Sequence, residues 1–127
     1  SKGGYIPVVA IYSSFLQRAY DQLLHDVALQ KLHVIIMVDR SGIVGEDGET
    51  HMGIYDTSYL RSIPGLTVIA PKDARELENA MDFAVAFDGP VVIKYPKGIA
   101  YDASQENSFQ FIEGKSEVEV WYILLMK

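Results

Sequence analysis

The richest run of functional groups lies between Arg40 and His51, in RSGIVGEDGETH. It offers a guanidinium, two kinds of proton carrier, and glycines at 42, 45 and 48. Glycine lets backbone N–H groups come close to an anion. His51 can take or give a proton near neutral pH. The glycine spacing matches neither G-x-G-x-x-G nor a Walker loop, so a solvated surface loop stays open as an equal alternative.

Two other places carry usable chemistry. Tyr12 and Phe15 flank a change from β-branched to helical pattern, and an aromatic there can stack on a planar ring. Arg18 follows Phe15 at i+3 and can face the same ligand. The plainer alternatives are core packing for the rings and a solvated charge for Arg18. Lys94 and Lys97 close the run IKYPKG, where a cation could bind a phosphate or simply aid solubility. His25 and His33 read as structural. The three histidines are scattered and there is no cysteine, so no metal site, disulfide or thiolate nucleophile is expected.

The elements that must position these groups follow from periodicity. Residues 7–12, PVVAIY, read as a buried strand, with Ser13 or Ser14 as a helix cap. Apolar pairs at 15/16, 19/20, 23/24 and 27/28 indicate a helix burying one broad face. Residues 33–39, HVIIMVD, form a second buried strand, and 40–56 a long polar loop with four glycines. A short helix over 57–63 stops at Pro64-Gly65. A third strand spans 66–70. Asp73 and Glu76 make a capping box for a helix through Val85. A fourth strand covers 90–95. Apolar strands alternating with amphipathic helices imply an α/β fold, a mostly parallel sheet with helices on both faces. Ligands in such sheets bind beyond the carboxyl ends of the strands, here Tyr12, Asp39, Pro71 and Tyr95 onward. Residues 99–116 read as a connection and 117–127 as one or two strands without a following partner, so the fold reads as incomplete.

The chain has 127 residues and a net charge of -6, the size of one domain. Such an acidic protein offers no general basic surface to nucleic acid or anionic lipid. No apolar run approaches the roughly 20 residues of a bilayer span, and Ser1-Lys2-Gly3-Gly4 begins no signal peptide.

Three segments together carry a resemblance: PVVAIYSSFLQRAYDQLLHDVALQKL, VDRSGIVGEDGETHMGIYDTSYLRSIPGL and DGPVVIKYPKG. In order and near-spacing they resemble the 1-deoxy-D-xylulose-5-phosphate synthase family of thiamine-diphosphate enzymes over about residues 3–98. The resemblance implies that residues 1–98 are most of a transketolase-like pyrimidine-binding domain, and 99–127 a connection into the next segment. The family condenses pyruvate with D-glyceraldehyde 3-phosphate, losing carbon dioxide, toward isoprenoids, thiamine and pyridoxal. Its cofactors are thiamine diphosphate and magnesium, the metal ligands lying in a domain absent from this chain. By the same resemblance, Phe15 would stack on the aminopyrimidine, Tyr12 would shape that pocket and Arg18 would lie beside it. Arg40 and Lys97 would bind the substrate phosphate. Asp47 and His51 would face the reacting carbons, His51 moving protons. A homodimer in the bacterial cytoplasm or plastid stroma is expected.

The sequence departs from the family pattern at Lys97, usually arginine, where the bidentate fork is lost, and at Met52, commonly glutamine or histidine. The family's ring-activating glutamate lies upstream of PVVAIY, outside this chain. The chain alone is therefore expected to be inactive, with an open sheet edge. Two alternatives are a non-catalytic α/β binding or assembly module from the same domain, and a flavodoxin-like ligand binder.

Overall fold

The computed structural model describes residues 1–100, 112, 114 and 115. The strands expected at 117–127 lie outside the described residues, as does most of the connection expected before them. Four strands, β1 (Val8–Tyr12), β2 (Ile35–Asp39), β3 (Thr67–Ile69) and β4 (Val91–Lys94), form one sheet in the order β1-β2-β4-β3. Every pairing is parallel. Helices α1 (Ser13–Leu16), α2 (Asp56–Leu60) and α3 (Ala74–Ala86) complete the α/β architecture.

The pleat divides the core in two. Val34, Ile36, Val38 and Val92 face one way, against Leu16, Leu23, Ala28, Leu60 and Ile63. Ile35, Val91, Ile93 and Ile69 face the other way, against Ala80 and Ala84 of α3. Strands apolar on both faces need cover on both, and here the α1 and α2 side and the α3 side supply it. His33 joins the α3 side to the sheet, its Nε2 lying 2.8 Å from the Ala84 carbonyl.

Two expectations need correction. β1 is not buried: Val8 is 55% and Val9 45% exposed. It pairs with β2 on one side and with no other strand among the described residues, so only Ile11 reaches the core. The helix after β1 is also not uniformly α-helical. Beyond α1 it tightens to a 3-10 turn at Gln17–Ala19, then widens to a π-helix over Gln22–Ala28. The apolar pairs recur every fourth residue, a period longer than 3.6. Wider turns keep such a stripe facing the sheet.

Neither Ser13 nor Ser14 caps α1, which has no side-chain cap. Only the Asp73 half of the expected box forms at α3: Asp73 Oδ1 accepts from Glu76 N–H at 2.8 Å, whereas Glu76 Oε2 accepts from the N–H of Lys72, one residue before the cap, at 2.8 Å. Asp73→Ala should lower the unfolding free energy by about 1 kcal/mol, read from the urea midpoint. An unchanged midpoint would mean that the cap contributes nothing.

Candidate functional site

The sheet order sets the carboxyl ends of β1, β2 and β4 side by side, and each end leads into a candidate residue. β1 ends on Tyr12 and runs into Phe15 and Arg18. β2 ends on Asp39, next to Arg40. β4 ends on Lys94, three residues before Lys97.

All seven candidates meet in one chain of contacts. Tyr12 and Phe15 are stacked with ring centroids 5.5 Å apart. The Arg18 guanidinium carbon lies 5.7 Å from the Phe15 centroid, and His51 meets Phe15 edge-on at 5.5 Å. The Arg40 guanidinium sits 4.2 Å above the Tyr12 ring and donates to Asp47 Oδ2. Lys97 Nζ donates to Asp47 Oδ1 at 2.8 Å. Thus Tyr12 links an aromatic shelf to a cluster of two cations around one carboxylate. Despite three neighbours, Phe15 stays 41% exposed, leaving ring surface for a planar ligand.

The loop from 40 to 56 is folded on itself. Gly42 and Gly53 exchange backbone hydrogen bonds of 2.8 and 2.9 Å, and short 3-10 turns at Gly45–Asp47 and Glu49–His51 present Asp47 and His51. Arg40 enters with a φ of 56°, uncommon for a residue with a side chain. Its N–H is held by Asp39 Oδ1 at 2.7 Å. Gly53 admits no side chain: a Cβ there would lie 2.2 Å from the Arg40 carbonyl oxygen and 2.8 Å from Ser13 Cβ.

Electrostatics fix the charges. The hydrogen bond from Lys97 holds the Asp47 carboxyl below its ordinary range, and the Arg40 contact adds to this against partial burial. Partial burial opposes the Arg40 charge, but Asp47, with Tyr12 and Asp39, outweighs it and the guanidinium pKa rises.

Sequence reasoning missed the groups beneath this surface. Asp56 is only 1% exposed. Its Oδ2 accepts from Ser13 Oγ at 2.9 Å and Ser41 Oγ at 2.5 Å. Its Oδ1 accepts from Lys94 Nζ at 2.7 Å and Thr57 N–H at 2.6 Å. Lys94 is therefore the counter-ion of a buried carboxylate and not a spare cation at the sheet edge. The available signal was an acidic residue directly before the expected helix at 57–63. Burial pushes the Asp56 pKa up, but the bonds from Lys94, Ser41 and Ser13 and the Lys94 charge together bring it below the ordinary range. Burial and the Asp56 charge push the Tyr59 phenol up to about 12. A cavity of about 410 Å³ opens beside this network, lined by Ser41, Gly53, Thr57, Pro71, Lys94 and Tyr95 among others. None of the seven candidates lines it. Among the described residues no group of three or more His, Asp or Glu side chains could hold a metal ion, and no helix is long and apolar enough to cross a membrane.

Residues 1–101 match the transketolase pyrimidine-binding domain, and the chain belongs to that family. Its solved neighbours include a split-gene transketolase described as an inactive beta4 tetramer, 28% identical with a TM-score of 0.66, over 74% of this chain and 30% of that one. A transketolase from Campylobacter jejuni is 27% identical with a TM-score of 0.65, over 71% of this chain and 14% of that one. The sequence relatives are more particular. A 1-deoxy-D-xylulose-5-phosphate synthase from Lachnoclostridium phytofermentans is 55% identical over 91% of this chain. One from Oleidesulfovibrio alaskensis is 63% identical over 79% of this chain. The chain spans 18% and 16% of those relatives' lengths.

Because the folded pKa of Asp56 is depressed, its network stabilises the protein above about pH 4, the unfolded value. That contribution is lost as pH falls through the folded pKa. Asp56→Asn leaves Lys94 without its partner and should cost about 3 kcal/mol at pH 7. It should also flatten the fall in stability below pH 4, measured by urea unfolding across pH. Equal slopes for the two proteins would contradict the assignment.

Proposed function

We propose that this chain is the aminopyrimidine-holding part of a thiamine-diphosphate-dependent transferase. The full-length protein would join pyruvate to D-glyceraldehyde 3-phosphate with loss of carbon dioxide, as a 1-deoxy-D-xylulose-5-phosphate synthase. One observation carries this: an exposed aromatic shelf, Phe15 with Tyr12, Arg18 and His51, is joined through Tyr12 and Arg40 to Asp47 and Lys97. A ring-binding surface beside a cationic cluster suits a planar cofactor and a phosphorylated substrate.

When bound, thiamine diphosphate supplies an electron sink for the bond changes at the substrate carbonyl. The chain's own residues bind, orient and move protons. Phe15 gives the stacking surface, Tyr12 shapes it and Arg18 borders it. His51, whose Nδ1 lies 3.0 Å from Thr50 Oγ1, moves protons at the reacting carbons through its other ring nitrogen. Arg40 binds the substrate phosphate through a fork and Lys97 as a point charge. Asp47 faces the reacting carbons and holds both cations in place until the phosphate arrives. The diphosphate and magnesium belong to parts of the full-length protein beyond residues 1–98, residues 99–127 being the connection, and this chain alone is without turnover. The working assembly is a homodimer in the bacterial cytoplasm or a plastid stroma.

A second reading, a non-catalytic assembly module, draws on the apolar exposure of Val8 and Val9 along β1. Turnover decides between them. The full-length polypeptide should form carbon dioxide and a five-carbon phosphorylated product from pyruvate and D-glyceraldehyde 3-phosphate with thiamine diphosphate and magnesium. Absence of product would leave the assembly module.

His51→Ala should lower kcat by about 100-fold while cofactor affinity, by calorimetric titration, stays close to wild type; a collapse of affinity would remove the proton-transfer role. Lys97→Ala should raise KM for D-glyceraldehyde 3-phosphate about tenfold, the scale of a charged hydrogen bond. An effect confined to pyruvate would refute the phosphate contact.

A further inference from the structure

The ladder of a parallel sheet aligns strands only as far as they pair. The groups that matter here lie just past the strand ends. Ser13 follows β1 and stands between Tyr12 and Phe15. Ser41 follows Arg40 in a turn beyond β2. Lys94 ends β4 and leads to Lys97. The side chains of all three converge on Asp56.

We propose that Asp56 is a positioning residue whose one carboxylate sets the aromatic shelf in register with the cationic cluster. The proposal rests on the functional reading above, which gives shelf and cluster their ligands.

The geometry divides the carboxylate by oxygen. Oδ2 takes the two serine hydroxyls, one from the shelf turn and one from the start of the loop. Oδ1 takes Lys94 Nζ and the Thr57 N–H and Oγ1 at the start of α2. A carboxylate offers about four lone-pair sites, so these donors saturate it. An amide of the same size cannot serve both sides, because it has a single acceptor oxygen and would turn its NH₂ toward donors. Gly53 closes the same junction from outside, packed between the Arg40 carbonyl and Ser13 with no room for a Cβ. Thus the Ser13 turn and the Arg40 turn touch each other through Gly53 and share one acceptor beneath. Asp56 makes no hydrogen bond or ion pair with any of the seven candidates and acts through the segments that carry them.

Each serine arm can be cut separately. In full-length protein carrying this segment, Ser13→Ala should raise the dissociation constant for thiamine diphosphate with magnesium about tenfold, the scale of a hydrogen bond to a charged group. It should move KM for D-glyceraldehyde 3-phosphate far less. Ser41→Ala should do the reverse, and Asp56→Asn should move both. A ligand-free readout accompanies these: the NMR cross-peak between the Phe15 and His51 rings should be present in wild type and weakened by Ser13→Ala. If the variants lose thermal stability but keep both constants and the cross-peak, Asp56 is a fold-stabilising residue only and the proposal is overturned. If wild type binds no thiamine diphosphate, the functional reading fails by itself. The cross-peak then decides the positioning role, and its persistence in Ser13→Ala overturns it.

Discussion

An ionised carboxylate removed from water costs several kcal/mol unless donors surround it. Asp56 is such a group: it is buried, its pKa is depressed, and it is met by three hydroxyls, an ammonium and a backbone N–H. Those donors come from the ends of β1, β2 and β4 and the start of α2. Separating any of them from Asp56 leaves a polar group unpaired in a dry place. The local demand to satisfy one charge therefore becomes a long-range demand on four segments. The surface above Asp56 inherits its order from that demand.

Topology does the rest. β4 lies between β2 and β3 in the sheet, so the turn carrying Arg40 and the segment carrying Lys97 emerge side by side and can share Asp47. β1 on the other side of β2 brings Tyr12 under the Arg40 guanidinium. The result is an aromatic surface and a charged surface that meet at one cation–aromatic contact. Neither surface lies within the cavity next to Lys94 and Tyr95, so that cavity is a poor guide to where the chemistry-bearing groups point.

Much of this was legible in the sequence. Doubly apolar strands specified a covered parallel sheet, and the carboxyl-end rule singled out the region where Tyr12, Arg40 and Lys97 meet. The cap of α3 by Asp73 was readable because its bond to Glu76 is local. The Asp56 network was not, because its partners other than Thr57 lie 15 to 43 residues away. Pattern carries no such pairing, so Ser13 looked like a cap and Lys94 like a free cation. The exposure of β1 was hidden for a related reason. An apolar run states that a strand can be covered, and the neighbours in the sheet determine whether it is. The widening of the first helix was present in the sequence, as a period of four, but a period of four resembles an α-helical stripe over a few turns.

In the proposed function one organised surface, the shelf on Phe15 and the cluster around Asp47, receives a planar cofactor and a phosphorylated substrate together. The most direct measurement is a crystal structure of the full-length protein with thiamine diphosphate, magnesium and D-glyceraldehyde 3-phosphate bound. The aminopyrimidine should stack on Phe15 with ring centroids roughly 4.5–7 Å apart, and Arg40 and Lys97 should hold the substrate phosphate. An aminopyrimidine lodged elsewhere, for example in the cavity beside Lys94 and Tyr95, with Phe15 covered by protein, would contradict the proposed function.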